Sequence, residues 1–201
     1  MSVYNSPRRA EAAAGTQQAI LAAARRLFAE KGYAATTIGD IAKAARVATA
    51  TIYTSVGGKQ RLLEELARTS AADSTLGGFV ESLRHARDPR EVLRLAVAAT
   101  RYSAERNADL FSIIRVNAAF DETVAAIAAE SERWFRSSAR KVAARLRDLG
   151  VLRGSLAEGE DTVTFFLGHD SWHRVVTDFG WSYGKAEKWF TARLAEALLS
   201  G

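Results

Sequence analysis

Apolar residues in the first third of the chain recur at the spacing of a helix face rather than in the strict alternation of a strand. The first stripe predicts an amphipathic helix from Thr16, as N-cap, to a stop at Gly32. Its members are Ile20, Ala24, Leu27 and Phe28. With two prolines in 201 residues and no alternating segment, the pattern predicts an all-α chain.

Three shorter helices are predicted after the first. Thr37 and Asp40 have the spacing of a capping box, so a second helix begins there, carries Ile41 inward and lasts about two turns. A third helix is predicted over residues 49–56, and a fourth opens at Lys59 after two glycines. Two short helices joined by a tight turn are the minimal unit that reads the DNA major groove.

The predicted helices are longer beyond residue 70. Their expected ranges are 88–105, 108–120, 121–149, 158–179 and 183–199. The predicted fold class is therefore all-α, with an N-terminal three-helix helix-turn-helix domain and a C-terminal helical bundle. The predicted domains are a flexible basic arm (1–15), the helix-turn-helix domain (16–60) and the bundle (61–201).

Positive charge is confined to the beginning of the chain. Residues 1–70 contain ten Lys and Arg against five Asp and Glu, whereas residues 71–201 contain 18 of each. Neutralisation of phosphates supplies most non-specific DNA affinity, so a basic N-terminal segment favours a nucleic-acid partner. A solvated helix surface would give the same count.

The composition excludes several kinds of site and several classes of protein. The chain has no cysteine, which rules out disulfides, thiolate zinc sites and a cysteine nucleophile. No run of 18 apolar residues and no secretory signal pattern is present, so we expect a cytoplasmic protein without a membrane partner.

An ordered series of short motifs runs across residues 16–63. Its members are Ile20-Leu21, Leu27-Phe28, Gly32-Tyr33, Thr36-Thr37, Ile41-Ala42, Val47, Thr51-Ile52-Tyr53 and Lys59. The series resembles the tetracycline-repressor (TetR) family of transcriptional regulators. The chain departs from the family pattern where Arg46 replaces a turn glycine, Ala48 a serine, Ser55 a histidine or tyrosine, and Val56 a phenylalanine. The resemblance implies a repressor that an effector releases from a palindromic operator.

The resemblance also implies roles for individual residues. Thr37, Tyr53 and Lys59 would contact phosphates, although the ring of Tyr53 could instead pack inward. Lys43 and Arg46 flank the turn and are candidates for further cationic contacts or for solvated surface residues. Base readout would come from Thr49, Ala50, Thr51, Thr54 and Ser55.

None of these readout residues is Arg, Lys, Asn or Gln, the side chains that make bidentate contacts to guanine or adenine. The third helix must therefore read DNA through thymine methyl groups, hydroxyls, water or DNA shape. Arg8 and Arg9 could form an arm near DNA or an inert tail.

Most aromatic residues lie in the predicted bundle, where the resemblance implies an effector cavity and a partly apolar or aromatic effector. The candidate ligand-binding residues are Tyr102, Phe111, Arg115, Trp134, Phe166, Trp172 and His173. The resemblance further implies a homodimer through the last two helices. On the final helix a continuous apolar stripe consists of Ala186, Phe190, Leu194, Ala197 and Leu198.

Two histidines four residues apart, His169 and His173, share a helix face beside Asp170 and could ligate a metal. A third ligand is not identifiable, so we expect interface or pocket-lining histidines, no metal and no cofactor. Two alternatives to a DNA-binding regulator remain open: a helical metal-dependent enzyme built on these residues, and a ligand-binding protein that has lost DNA recognition. We expect no enzyme.

Overall fold

The computed structural model describes residues 7–200, with side chains from Ala10 onward. Its helices are α1 (Pro7–Lys31), α2 (Ile38–Ala45), α3 (Thr49–Ser55), α4 (Lys59–Ala71), α5 (Ser74–His85), α6 (Pro89–Asn117), α7 (Glu122–Asp148), α8 (Leu156–Leu167), α9 (His169–His173) and α10 (Tyr183–Leu198). A π-helical turn, Arg174–Asp178, follows α9 directly. Within this part of the chain there is no strand, and the predicted all-α class is confirmed.

The first helix is longer than predicted at its N-terminus. It begins at Pro7, and Thr16 lies inside it, where its hydroxyl donates to the carbonyl of Ala12 over 2.9 Å. The predicted cap was wrong because the alanine-rich segment before Thr16 has high helix propensity and continues the helix. The predicted flexible arm is thus helical from Pro7; residues 1–6 and the side chains of Arg8 and Arg9 lie outside the described part.

Two further differences concern the middle of the chain. Helix α5, capped by Asp73, was not predicted. The two helices predicted on either side of residue 107 form the single α6, which is interrupted only by a non-helical Asn107 (φ −125°, ψ 18°). The helix predicted over 158–179 is divided at Gly168, where a Cβ would lie 2.8 Å from the carbonyl oxygen of Thr164.

The chain forms two compact units. Unit 1 consists of Met1–Thr69 with Asp109–Ala128, and unit 2 of Ser70–Ala108 with Ala129–Gly201, as far as these residues are described. The predicted domain boundary after residue 60 therefore falls inside α4, and the end of α6 and start of α7 group with unit 1.

The core of unit 1 is built from α1 to α4 and the adjoining parts of α6 and α7. The predicted α1 stripe is confirmed, since Ile20, Ala24, Leu27 and Phe28 are all buried. They pack in one cluster with residues of the later segment such as Leu110. A bidentate ion pair from Arg25 to Asp109, at 2.7 and 2.6 Å, also links α1 to the end of α6.

Unit 2 has a separate core from α5 to α10. Its largest fully buried side chain is Trp172, which packs at 4.9 Å between ring centroids against Phe190 of α10. The Trp172 indole nitrogen donates to the Thr100 hydroxyl over 3.2 Å, which satisfies its polar atom inside the core. None of the described helices has the length and apolar character needed to cross a membrane.

Candidate nucleic-acid interface

Helix α2 begins at the predicted capping box. The Thr37 hydroxyl accepts from the backbone N–H of Asp40 at 3.1 Å, and the backbone N–H of Thr37 donates to the Asp40 carboxylate at 3.1 Å. The Thr37 hydroxyl also donates to the Asp40 carboxylate at 2.9 Å, and the bond from the Thr37 backbone N–H and this one are the largest causes of the lowered pKa of Asp40. Thr37 is exposed, so the start of α2 is open to an incoming phosphate.

The turn after α2 is a Schellman motif with arginine in the position that normally favours glycine. The N–H of Arg46 donates to the carbonyl of Lys43, and the N–H of Val47 to that of Ala42. Arg46 has φ 57° and ψ 41°, and no other non-glycine residue in the described part has a positive φ. This left-handed conformation costs an L-residue about 1 kcal/mol. A cation is therefore held in a strained turn between the two helices.

Helix α3 is anchored by one residue and exposes most of the others. Ile52 is fully buried against the α1 and α2 core. Among the predicted readout residues, Thr51 is half-buried and the remainder are exposed: Thr49, Ala50, Thr54 and Ser55. Tyr53 is 58% exposed, so its ring does not pack inward. The structure thus brings the predicted readout residues together on one short helix.

The hydroxyl proton of Thr54 is already committed within the helix. It is directed at the carbonyls of Ala50 and Thr51, both at 3.1 Å. In this arrangement the Thr54 oxygen can only accept from a base, as from the amino groups of adenine or cytosine, while its methyl group can contact a thymine methyl.

Lys59 has a structural role that the sequence did not indicate. Its ammonium group donates to the carbonyls of Tyr33 (2.9 Å) and Ala34 (3.2 Å) and lies 4.5 Å from the centre of the Tyr33 ring. The Tyr33 ring is buried, and burial raises the pKa of its hydroxyl to about 12. Lys59 therefore fixes the loop between α1 and α2 with two of its three N–H donors, leaving one for a phosphate.

The cations near the turn differ in their pairing. Lys31 lies 3.4 Å from the carboxylate of Asp40, which partly neutralises it. Lys43 and Arg46 are exposed and have no acidic partner among the described residues. Unpaired cations beside the exposed face of α3 are what a polyanion requires.

The family comparison decides what this unit is. The sequence profile of bacterial regulatory proteins of the tetR family matches residues 20–66, which contain α2, the turn and α3. Residues 20–66 are thus similar to the tetR family of bacterial regulatory proteins, which supports a DNA-binding regulator as the function.

Solved structures of TetR-family regulators share the whole fold. A protein described as a TetR-family transcriptional regulator from Syntrophomonas wolfei aligns with a TM-score of 0.76 and 19% identity, covering 91% of this chain and 95% of that one. A transcriptional regulator from Saccharomonospora viridis, in complex with choline, aligns with a TM-score of 0.74 and 16% identity over 94% and 100%. A regulator from Rhodococcus aligns with a TM-score of 0.71 and 17% identity, covering 92% of this chain and 98% of that one. No curated protein is significantly similar in sequence.

The seven predicted ligand residues are distributed over both units. Phe111 and Arg115 belong to unit 1 and the others to unit 2. Tyr102 donates to the carboxylate of Asp73 at 3.1 Å, and Trp172 is core. Trp134 is about half exposed, at 48%. His173 lies 3.7 Å from Asp178, and Phe166 contacts Trp189 at 6.0 Å between ring centroids.

Two cavities occur in unit 2 instead. One, about 70 Å³, lies between α5, α6, α7 and α8, is partly open to solvent and is lined almost wholly by apolar atoms. The other is an open groove of about 530 Å³ between α6 and α10, lined in part by Arg90, Arg94 and Lys188. Neither lining includes a predicted ligand residue. The signal missed in the sequence was the set of alanines that line the smaller cavity, Ala96, Ala99 and Ala139, whose small side chains leave the space.

The histidine pair does not form a metal site in the described part of the chain, where no group of three candidate ligands occurs. His169 packs against Phe135 at 5.7 Å between ring centroids, and burial lowers the pKa of its imidazole to about 4. His169 is therefore neutral at pH 7 and packs beside Phe135, a core residue of unit 2.

The apolar stripe predicted as the dimer face on α10 lies mostly in the core of its own chain. Ala186, Phe190, Leu194 and Leu198 are buried there, and only Ala197 is exposed. That assignment was wrong because a helix on a single core buries its most apolar face within the unit. The exposed apolar surface of these last helices is instead an aromatic patch linked by ring contacts: Phe165, Phe166, Trp189, Trp181 and Phe179.

Proposed function

We propose that this chain is a homodimeric repressor that binds a palindromic operator through α3 and leaves it when a small-molecule effector binds unit 2. The observation that carries the proposal is the exposed face of α3, held by the buried Ile52 beside the unpaired Lys43 and Arg46. Two such helices in a symmetric dimer would enter successive major grooves about one helical turn apart.

Phosphate contacts would come from both ends of the recognition unit. Thr37 marks the exposed N-terminus of α2, Tyr53 offers an exposed hydroxyl, and Lys59 offers its remaining N–H donor. Lys43 and Arg46 add two charges per protomer. Because α3 has no bidentate reader, we expect specificity from methyl contacts, hydroxyl acceptors and DNA shape.

Dimerisation would use the aromatic patch on the last helices. Phe165 is 73% and Phe179 59% exposed, and large exposed aromatic groups are characteristic of protein interfaces. A two-fold axis would bring each patch against its copy, as the isologous interfaces of most homodimers do.

Effector control is supported by the small apolar cavity and by the choline complex of the Saccharomonospora regulator, which has the same fold. Helices α6 and α7 each have one part in unit 1 and another in unit 2, so they are the segments that would transmit a change in the cavity. Release requires that the effector bind more tightly to the conformer that does not fit the operator.

The proposal is tested by selecting preferred duplexes from a random DNA pool with the full-length protein at low salt. We expect a palindromic consensus and dimer binding. Tyr53→Phe should weaken binding about tenfold or more, because each protomer loses a hydrogen bond to a charged acceptor. Tyr102→Phe, which alters a tyrosine of unit 2, is the matched control. Failure to enrich any sequence, or equal affinity of Tyr53→Phe and the parent, would refute the proposal.

A further inference from the structure

The 70 Å³ cavity of unit 2 is partly open to solvent, and its lining is apolar on nearly all sides. Its walls include Phe79 and Leu83 of α5, Phe135 of α7 and Val163 of α8. Such a lining excludes groups that need hydrogen bonds, because an unsatisfied polar group in an apolar site is costly.

The two hydroxyls in the lining have little left to offer a ligand. Thr100 donates to the carbonyl of Val97 at 3.0 Å and accepts from the Trp172 indole at 3.2 Å. Ser138 donates to the carbonyl of Trp134 at 3.2 Å. Both hydroxyl protons are thus donated to backbone carbonyls, and the interior of the cavity favours an apolar ligand group.

One charged side chain, Lys141, also lines the cavity. Lys141 is exposed, which places it at the mouth rather than in the interior, and no acidic residue among those described pairs with it. An apolar interior with a single cation at its mouth is complementary to a molecule that has an apolar body and one negative end.

The size of the cavity limits the body of that molecule. About 70 Å³ corresponds to about two or three water molecules, well below the roughly 300–1,000 Å³ of pockets for drug-sized ligands. Only a short run of carbon atoms fits without rearrangement.

We infer that this cavity binds a short unbranched hydrocarbon chain ending in a carboxylate, with Lys141 holding the carboxylate at the mouth. The inference names the class of effector for the proposed repressor and rests on that function for its regulatory meaning. Binding itself does not depend on DNA.

The experiment is calorimetric titration of the full-length protein, without DNA, with straight-chain monocarboxylates of increasing length and with the matching alcohols and amines. Affinity should rise about three- to fourfold per methylene while the chain fits, and then stop rising. Carboxylates should bind more tightly than alcohols, and amines least.

Variants separate this cavity from the open groove. Lys141→Met should lower carboxylate affinity about tenfold and leave alcohols unchanged, because a charge-assisted contact is lost. Lys188→Met alters the groove and should change neither. Ala99→Leu fills the cavity and should weaken carboxylates and alcohols together, with an unchanged circular dichroism spectrum as the check on folding.

Three results would overturn the inference: affinity independent of chain length, amines binding as tightly as carboxylates, or sensitivity to Lys188→Met instead of Lys141→Met. DNA binding without any carboxylate is measured separately. If carboxylates bind as described but DNA is never bound, the proposed function fails while the ligand class stands.

Discussion

Ser70 donates a hydrogen bond of 3.0 Å to the amide oxygen of Asn107, the buried residue at which α6 departs from helical geometry. A kink in a helix requires a specific cause, and here an inserted side-chain contact accompanies it. The pair therefore stabilises the bent form of α6, the helix that runs from unit 2 into unit 1.

Removal of this hydrogen bond should be measurable in unfolding experiments. We expect Ser70→Ala to lower the free energy of unfolding by about 1 kcal/mol, because the buried Asn107 loses its partner. Urea titrations of Ser70→Ala, Asn107→Ala and the double variant give the coupling energy between the two residues, expected at about 0.5–1.5 kcal/mol. Ser82→Ala, at an exposed serine of α5, is the control, and additive single effects would contradict the assignment.

Arg46 should trade stability for DNA affinity. Arg46→Gly removes the left-handed strain, so the free energy of unfolding should rise by about 1 kcal/mol. The same change removes one cation per protomer, and DNA binding should weaken. Arg46→Lys keeps the charge and the strain and should preserve affinity. An Arg46→Gly variant that is less stable and binds DNA unchanged would contradict both roles.

The aromatic patch gives a prediction about assembly. Phe165→Asp should raise the dimer dissociation constant at least about 100-fold, since an aromatic hot spot is worth about 2 kcal/mol and a symmetric interface contains it twice. Sedimentation analysis across a concentration series measures the shift. Phe120→Asp, at a phenylalanine of unit 1 that is 88% exposed, is the matched control. Equal dimer stability of the two variants would exclude the patch.

The lowered pKa of His169 leads us to expect a lower free energy of unfolding in mild acid. Its pKa falls from an ordinary 6.5 to about 4 on folding, so the unfolded chain binds a proton more readily. Stability from this group is present above pH 6.5 and is lost as the pH falls towards 4, by about 2 kcal/mol at pH 5. His169→Gln should reduce the difference between unfolding at pH 7.5 and pH 5.0 by that amount. An unchanged difference in His169→Gln would contradict this role of His169.

Local sequence signals predicted the DNA-binding half well. The Thr37–Asp40 capping box and the α1 stripe are short-range features that propensity and periodicity determine, and both are present in the structure. The position of the left-handed residue could also be predicted, since Arg46 stands where the family has glycine. The interaction of Lys59 with the Tyr33 and Ala34 carbonyls joins residues 26 and 25 apart, and no spacing rule indicates it.

The effector half was less predictable because its features depend on packing between distant helices. A cavity forms where several small residues from different helices meet. The sequence does not indicate that Ala96 of α6 and Ala139 of α7 line the same cavity. The same applies to α10, whose apolar stripe was assigned to a partner chain although Phe190 packs on Trp172 of its own unit. Aromatic residues were taken as ligand contacts, whereas tertiary structure uses Trp172 as core.

The central claim is that α3 and its neighbouring cations bind DNA as a symmetric pair. Its most direct test is the salt dependence of binding to the selected duplex, measured by fluorescence anisotropy, together with the number of chains bound per duplex. Lys43, Arg46 and Lys59 supply three cations per protomer, so the account predicts two chains per duplex and a slope of log K against log salt of about −5. Lys43→Ala should reduce the slope by about 2. A slope near zero would contradict the account. So would a slope that neither Lys43→Ala nor Arg46→Gly changes.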